Sequence, residues 1–392
     1  MSNFKVNDDD FLNRYVTYEE VIGQTLYTWG DSNFGELGLN QSNTSLANRS
    51  SPVQVGSQTN WKELSLGGRY SLGIKIDNTL WSWGLNSYGN LGTNNRINRS
   101  SPVQIGTDTN WKKISATLGH VLAIKTDGTL WAWGDNFYGN LGTNDAISIS
   151  SPVQIGTGTD WKNISCGSES GVLTSFSLAI KENNTLWAWG RNDVGKLGLN
   201  DTINRSSPVQ LGTQTNWKEI SCDNHVLAIK TDGTLWAWGQ NGGGCLGTND
   251  VISRSSPVQI GTGTDWKYVS ALPSYSLAVK TNGTLWGWGE NFFGQLGHNN
   301  TIWISSPVQV GSNSNWNYLG QGSVANSFSL AVKTDGTLWA WGYSNQGSTS
   351  TGWLGLTSTI NTSSPVQVGN LSRWKHVSLG YRHSAGILYT NY

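Results

Sequence analysis

The sequence predicts an all-β fold, a seven-bladed β-propeller of four-stranded antiparallel blades. The ring is expected to close by pairing of N- and C-terminal strands in one composite blade. Three recurrent markers predict it. A Thr-Leu pair opening an aromatic segment recurs at Thr25, Thr79, Thr129, Thr185, Thr234, Thr284 and Thr337. The proline of Ser-Pro-Val-Gln recurs at Pro52, Pro102, Pro152, Pro208, Pro257, Pro307 and Pro365. A tryptophan, usually followed by Lys, recurs at Trp61, Trp111, Trp161, Trp217, Trp266, Trp316 and Trp374. The Thr-Leu steps run from 49 to 56 residues, a period that belongs to propellers, solenoids and arrays.

Residues 111–156 show the elements of one unit in order. "WKKIS" and "VLAIK" read as the first two strands, and "TDG" as the tight turn into "TLWAWG", the third. The Gly/Asn-rich loop "DNFYGNLGTND" leads to "SPVQIG", a fourth strand whose proline comes at its start, where a missing N–H does least harm. No helical periodicity interrupts the pattern, and four antiparallel strands make a propeller blade. The chain ends decide between a ring and an open solenoid. Repeats begin at a third strand, "TLYTWG" from Thr25, and finish with a first, "WKHVS", and a second, "SAGILY". These are complementary halves of one blade, and closing it removes exposed sheet edges. Thr25, Leu26 and Tyr27 are therefore expected to meet Ala385, Ile387 and Tyr389. The domain reading is an acidic and aromatic extension over residues 1–24 and a propeller over residues 25–392.

Composition narrows the function. Lys plus Arg and Asp plus Glu each total 25, and charged residues are only 13% of the chain. Neither figure suits a nucleic-acid binder, which carries a basic surplus. Cys166, Cys222 and Cys245 form no Cys-x-x-Cys and no even set, and read as small buried hydrophobes. The first twenty residues have no basic n-region followed by an apolar run, so no signal peptide is expected. No stretch approaches the ~18 apolar residues of a membrane span.

The unit from "SPVQIG" through "WKxIS", "LAIKTDGTLWAWG" and Gly-x-Leu-Gly resembles the RCC1 repeat, named after the regulator of chromosome condensation. The resemblance spans residues 25–392. It implies the propeller, and it leaves function open, because one fold hosts many functions. Propellers of this family include a guanine-nucleotide exchange factor for Ran, a plant ultraviolet-B receptor and a secreted bacterial inhibitor of β-lactamases. Similar repeats occur in bacterial and phage-encoded surface or virion proteins. The exchange factor carries a basic tail, whereas residues 1–24 here hold Asp8, Asp9, Asp10, Glu19 and Glu20 against Lys5 and Arg14. The receptor's Gly-Trp-Arg-His-Thr segments have one near match, Gly380-Tyr381-Arg382-His383-Ser384, with Tyr in the chromophore's place.

Several candidate sites resolve into packing. Trp131 and Trp133 stand two apart and share a sheet face; repeated in every blade, such doublets read as core between blades. The ring position before the second strand holds Tyr70, His120, Phe176, His225, Tyr275, Phe328 and His383. Its three histidines fall in blades two, four and seven, too scattered for a metal site. Asp127, Asp232 and Asp335 occupy the same tight turn. No catalytic or phosphate-loop motif appears, so neither an enzyme nor a cofactor is expected.

The irregularities are the candidates for function. Segments 38–50, 166–175, 321–327 and 343–353 are longer than their counterparts. All lie between strands one and two or three and four, so strand parity puts them on one face. Of the 22 tryptophans, only Trp303 and Trp353 fall outside the doublets and first strands. Trp303, Trp353, Tyr343, Ser168 and Glu169 are therefore expected to contribute to a partner-binding face. No binding role is claimed for position 41 of the first lengthened segment. The expected function is a non-enzymatic protein-binding or structural propeller, of a microbial or phage-type surface or virion component. The alternatives are a soluble regulator of a single protein partner and a lectin-like binder of a cell-surface glycan. Residues 1–24 are expected to dock on this propeller or on a neighbouring chain.

Overall fold

A computed structural model describes residues 22–41, 47–168, 174–322, 327–344 and 352–391. Seven sheets of four antiparallel strands form the ring. Blade two is representative, with strands Trp111–Ala116, His120–Lys125, Leu130–Gly134 and Ile149–Gln154. Blades one and three to six repeat it over residues 61–104, 161–210, 217–259, 266–309 and 316–367.

Blade seven is the composite one. Trp374–Leu379 and His383–Asn391 supply its first two strands, and Ile22–Gly30 and Arg49–Gln54 the other two. Ile22–Gly30 pairs with His383–Asn391 along its whole length, bringing Leu26 opposite Ile387, Thr25 opposite Leu388 and Gln24 opposite Tyr389. Tyr27 faces Gly386 and Thr28 faces Ala385, so all six residues expected at the closure lie in this ladder. A nine-residue antiparallel seam leaves no free sheet edge at the join.

The apolar core lies between blades. One cluster joins Leu72, Ile74, Leu80 and Ile105 of blade one to Trp111, Ile114, Val121 and Trp133 of blade two. Within blade two, Trp111 meets Trp131 and Trp133 edge-on at 5.9 and 6.1 Å. Such aromatic pairs add ~0.5–1.5 kcal/mol beyond area burial. In blade seven Tyr27 takes the place of the missing tryptophan, 5.5 Å from Trp374. Trp133 also donates Nε1–H to the Asn90 carbonyl of blade one at 2.9 Å, and Trp83, Trp189, Trp238, Trp288, Trp341 and Trp29 donate to the blade before them in the same way. The second tryptophan of each doublet is thus core, as regularity predicts, while the first is only half-buried, beneath its lysine.

The tight turn explains the recurrent threonine. Asp127 Oδ1 accepts from the Thr129 N–H and hydroxyl, and Thr129 Oγ1 accepts from Trp131 Nε1 at 2.9 Å. Lys125 lies over the Trp131 ring at 3.9 Å. Gly128 completes the turn with φ +78°, and a Cβ there would collide with the Thr159 carbonyl.

First strands of neighbouring blades contact each other all the way round, so these strands line the axis. Their inward edges need partners for N–H groups. Serines supply them: the N–H groups of Ala116, Cys166, Cys222, Ala271 and Leu66 donate to Ser65, Ser115, Ser165, Ser221 and Ser378 of an adjacent blade at 2.9–3.1 Å.

Candidate interface on the loop face

Loops joining strands one to two and three to four leave the same face, by antiparallel parity. In blades one to five the longer loop is held by one buried asparagine. In blade two, Asn136 Oδ1 accepts the Leu141 N–H at 2.8 Å, while Nδ2 reaches Thr143, Asp145 and the Ile147 carbonyl. Asn86, Asn192, Asn241 and Asn291 do the same work. Blades six and seven carry Ser344 and Ser32 instead. These are the blades whose loops are lengthened at 343–353 and 38–50. A serine offers one hydroxyl where the amide offers an acceptor and two donors, so these loops lack the amide clamp, although Asn40 and Thr357 still donate their N–H groups to the Ser100 and Ser50 carbonyls as Asn144 does to Ser206.

Trp303 belongs to the blade-five loop and is 42% exposed. It meets Phe292 edge-on at 4.5 Å, and Phe292 is 61% exposed. Phe292 touches Phe293, which lies 4.5 Å from Tyr343 of blade six. Tyr343 packs on Trp353 at 5.2 Å. The Arg382 guanidinium then covers Trp353 at 5.4 Å and Tyr381 at 5.1 Å. Arg69 of blade one lies over Tyr381 and over Phe34. An arc of rings and guanidiniums thus runs across blades five, six, seven and one. Neither arginine is ion-paired among the described residues. Edge-stacked rings and cation–π contacts hold such side chains in place, which lowers the ordering cost of any contact made there.

The expected site is corrected at two residues. Trp353 is only 2% exposed, because it is the variable residue of Gly352-Trp353-Leu354-Gly355, the repeat's own Gly-x-Leu-Gly. That position is buried in every blade, as Glu36, Asn90, Asn140, Lys196, Cys245 and Gln295 show. Trp353 donates Nε1–H to Asp31 Oδ1 at 3.1 Å, so it supports the arc from beneath. Ser168 is fully buried and has no exposed surface to offer. Trp303 and Tyr343 belong to the arc, with Tyr343 half-buried. Position 41 is a glutamine, Gln41, preceded by Asn40. The Gln41 amide oxygen accepts from Arg49 at 2.8 Å, which ties the start of the blade-seven loop to its fourth strand and gives this residue a local structural task. Glu169 lies outside the described residues, as do 42–46, 170–173, 323–326 and 345–351 of the lengthened loops and residues 1–21 of the extension.

The three histidines are staples between blades. His120, His225 and His383 place Nε2 against Ser177, Ser276 and Ser71 of the next blade at 2.9, 2.7 and 3.1 Å. Each serine hydroxyl donates to a carbonyl, of Asn140, Cys245 and Glu36 respectively. The histidines must therefore donate, which assigns the Nε2–H tautomer. Burial pushes all three pKa values down to about 3, so the rings are neutral. Burial also pushes the Cys166 thiol up to about 12, and Cys222 and Cys245 are likewise buried and free. No group of three or more His, Cys, Asp or Glu suits a metal among the described residues.

One set of residues escaped sequence reasoning. Two places after each first-strand tryptophan stand Glu63, Lys113, Asn163, Glu219, Tyr268, Tyr318 and His376, and together they line an axial cavity of about 470 Å³. Lys113 bonds Asn163 Oδ1 at 2.5 Å, and Glu63 Oε1 accepts the Ile114 N–H at 3.2 Å. Burial raises the Glu63 pKa to about 7, against the pull of Lys113. At the loop-face end, Gln321 of blade six accepts from Ser221 and donates to the Val269 carbonyl, tying blades four, five and six across the axis. The signal lay in the repeats: this position varies freely between near-constant neighbours.

Comparison with known proteins extends these findings. The family model for the regulator of chromosome condensation (RCC1) repeat matches seven times, at residues 25–74, 77–124, 127–173, 183–229, 232–279, 282–332 and 335–387. Yeast RCC1 (Prp20), solved bound to Kap60, superposes with a TM-score of 0.80 at 20% identity, covering 100% of this chain and 95% of that one. Prp20p from Saccharomyces cerevisiae, described with its binding to Gsp1p and histones, gives 0.80 at 20% identity, covering 95% and 92%. Human WBSCR16 gives 0.79 at 19% identity, covering 93% and 98%. These identities establish a shared fold. Among curated proteins the sequence has no match.

Proposed function

Because the chain belongs to the RCC1 repeat family, we propose that it is a non-enzymatic protein-binding propeller that engages its partner through the arc from Phe34 to Trp303. The observation that carries this reading is the arc itself. Exposed Phe292, Phe293 and Trp303 connect through Tyr343 and the buried Trp353 to Arg382, and onward to Arg69, two arginines with no ion pair among the described residues. Aromatic and arginine side chains dominate binding energy at protein interfaces. Prp20 supports the reading by analogy, since it is solved bound to Kap60 and binds Gsp1p and histones. A partner with carboxylates flanked by apolar side chains would complement the arc.

The finer reading is a structural component of a surface or virion-type assembly, attached through residues 1–24. A soluble regulator of one partner is the second choice. The exposed Trp303–Phe292 pair also suits stacking on a sugar ring, which a glycan array tests directly.

The test is affinity capture with the full chain, with Trp303→Ala and Arg69→Ala as controls. A partner retained by the native protein and lost by both variants supports the interface. Equal retention by all three rejects it. Size measurement of the full chain with and without residues 1–24 separates the assembly reading from the regulator: the assembly loses its multimer, and the regulator stays a monomer.

A further inference from the structure

The opposite face carries a second surface, independent of the loop-face reading. There, each first strand begins with its tryptophan and then a bulged residue. The bulged residues are Lys62, Lys112, Lys162, Lys218, Lys267 and Lys375, with Asn317 in blade six. First strands surround the axis, so six ammonium groups form a collar around one mouth of the axial cavity, and Lys112 and Lys162 line that cavity.

The collar has little counter-charge of its own: Glu63 and Glu219 interact with Lys62 and Lys218, but burial raises the pKa of both carboxyl groups. None of the six lysines is ion-paired among the described residues. Lys62, Lys162 and Lys267 rest on the neutral amide oxygens of Asn78, Asn184 and Asn317, and Lys375 on the Tyr389 hydroxyl. Apart from exposed Glu182 in the blade-three turn, the carboxylates nearby are committed elsewhere. Asp108, Asp160 and Asp265 pair with Lys125, Lys181 and Lys280. Asp77, Asp127, Asp232 and Asp335 each serve the threonine of their own turn. Glu63 and Glu219 lie within the cavity, below the rim.

The chain carries the complementary charge in its own extension. Residues 1–21 hold five carboxylates, at Asp8, Asp9, Asp10, Glu19 and Glu20, against Lys5 and Arg14. This segment joins the fold at the collar's face. Gln24 donates its N–H to the Thr59 carbonyl and forms a bridge with Asn60, two residues before Lys62. Asp10 lies twelve positions before Ile22, and a chain of that length spans up to about 40 Å. Asp8–Asp10 can therefore reach every part of the mouth.

We propose that the lysine collar is a binding site for an acidic polypeptide segment, and that in the unassembled protein its occupant is the Asp8–Asp10 run of the same chain. Each exposed ion pair is weak, but several act on one tethered segment at high effective concentration. Salt then opposes the contact by screening.

Carbodiimide coupling of the full-length protein, read by mass spectrometry at low salt, tests this. Asp8, Asp9 or Asp10 should couple within one chain to collar lysines, in preference to Lys125, Lys181 and Lys280, and about 0.5 M salt should abolish the products. Trypsin cleavage after Arg14 supplies a second readout that leaves the extension unaltered. Lys112→Gln/Lys162→Gln/Lys218→Gln should accelerate that cleavage about ten-fold at low salt, as the loss of several weak ion pairs predicts. Asp8→Asn/Asp9→Asn/Asp10→Asn should accelerate it equally, which covers the case of a collar variant that fails to fold. Coupling spread evenly over all lysines, coupling only between copies, or cleavage indifferent to salt and to both variants would overturn the proposal.

Discussion

Trp303 and Trp353 stand side by side in the repeat pattern as its two exceptions, yet their environments are opposite. Trp303 follows the exposed Ile302, four residues before Pro307, at a place where other blades carry Asn or Ser. Trp353 fills the buried place of Gly-x-Leu-Gly, where the ring is covered by Arg382 and Tyr343. Register within the repeat, rather than residue type, decides which ring meets solvent. The loops around them differ too. The blade-five loop keeps its Asn291 clamp, while the blade-six loop has Ser344 bonded to the Ser358 carbonyl.

The contrast can be broken in four ways. Trp353→Ala should destabilise the propeller most, by ~3–5 kcal/mol, as for other large-to-small core changes; chemical denaturation reads it, and a loss below ~1 kcal/mol would place this ring outside the core. Next, Asn291→Ala should cost ~2–4 kcal/mol, since several buried groups lose partners at once, against ~1 kcal/mol for Ser344→Ala. Equal costs would show that the clamp is not what distinguishes the two loops.

The third test concerns acid. A buried His225 with a pKa near 3 stays neutral while the unfolded chain takes up a proton below pH 6.5. Its folded pKa is depressed, so stability falls as pH drops from about 6.5 toward 3, at up to ~1.4 kcal/mol per pH unit for each such histidine. His225→Phe should flatten the melting-temperature profile over that window, because Phe176 and Phe328 fill the same position in blades three and six. An unchanged slope would mean that the ring titrates in the folded state. The smallest effect on stability belongs to Trp303→Ala, within about 1 kcal/mol, since only its edge contact with Phe292 is lost. A thermal shift as large as that of Trp353→Ala would show that Trp303 is core.

Much of this is legible in the sequence. The strand order, the turn chemistry of Asp127 and Thr129, the core role of each doublet's second tryptophan and the composite blade follow from residues a few places apart, or from counting repeats. The burial of Trp353 is written there too, because Gly352 and Gly355 mark its register even after a lengthened loop. The axial ring was harder to see. Glu63, Lys113 and His376 look like ordinary surface alternation in a strand until one knows that first strands face the axis.

Local chemistry is what the sequence by itself determined. Each repeat encodes its strands, its turn and its wedge of tryptophan, because those interactions join residues close in the chain or at the same place in the next repeat. Only the tertiary structure decided which unlike residues become neighbours. Ring closure brings Arg69 against Tyr381 and Trp353 against Asp31, across more than three hundred residues. It also turns one lysine per blade, in six of the seven, into a collar. Such surfaces are made by the geometry of seven wedges around an axis, and no single repeat contains them.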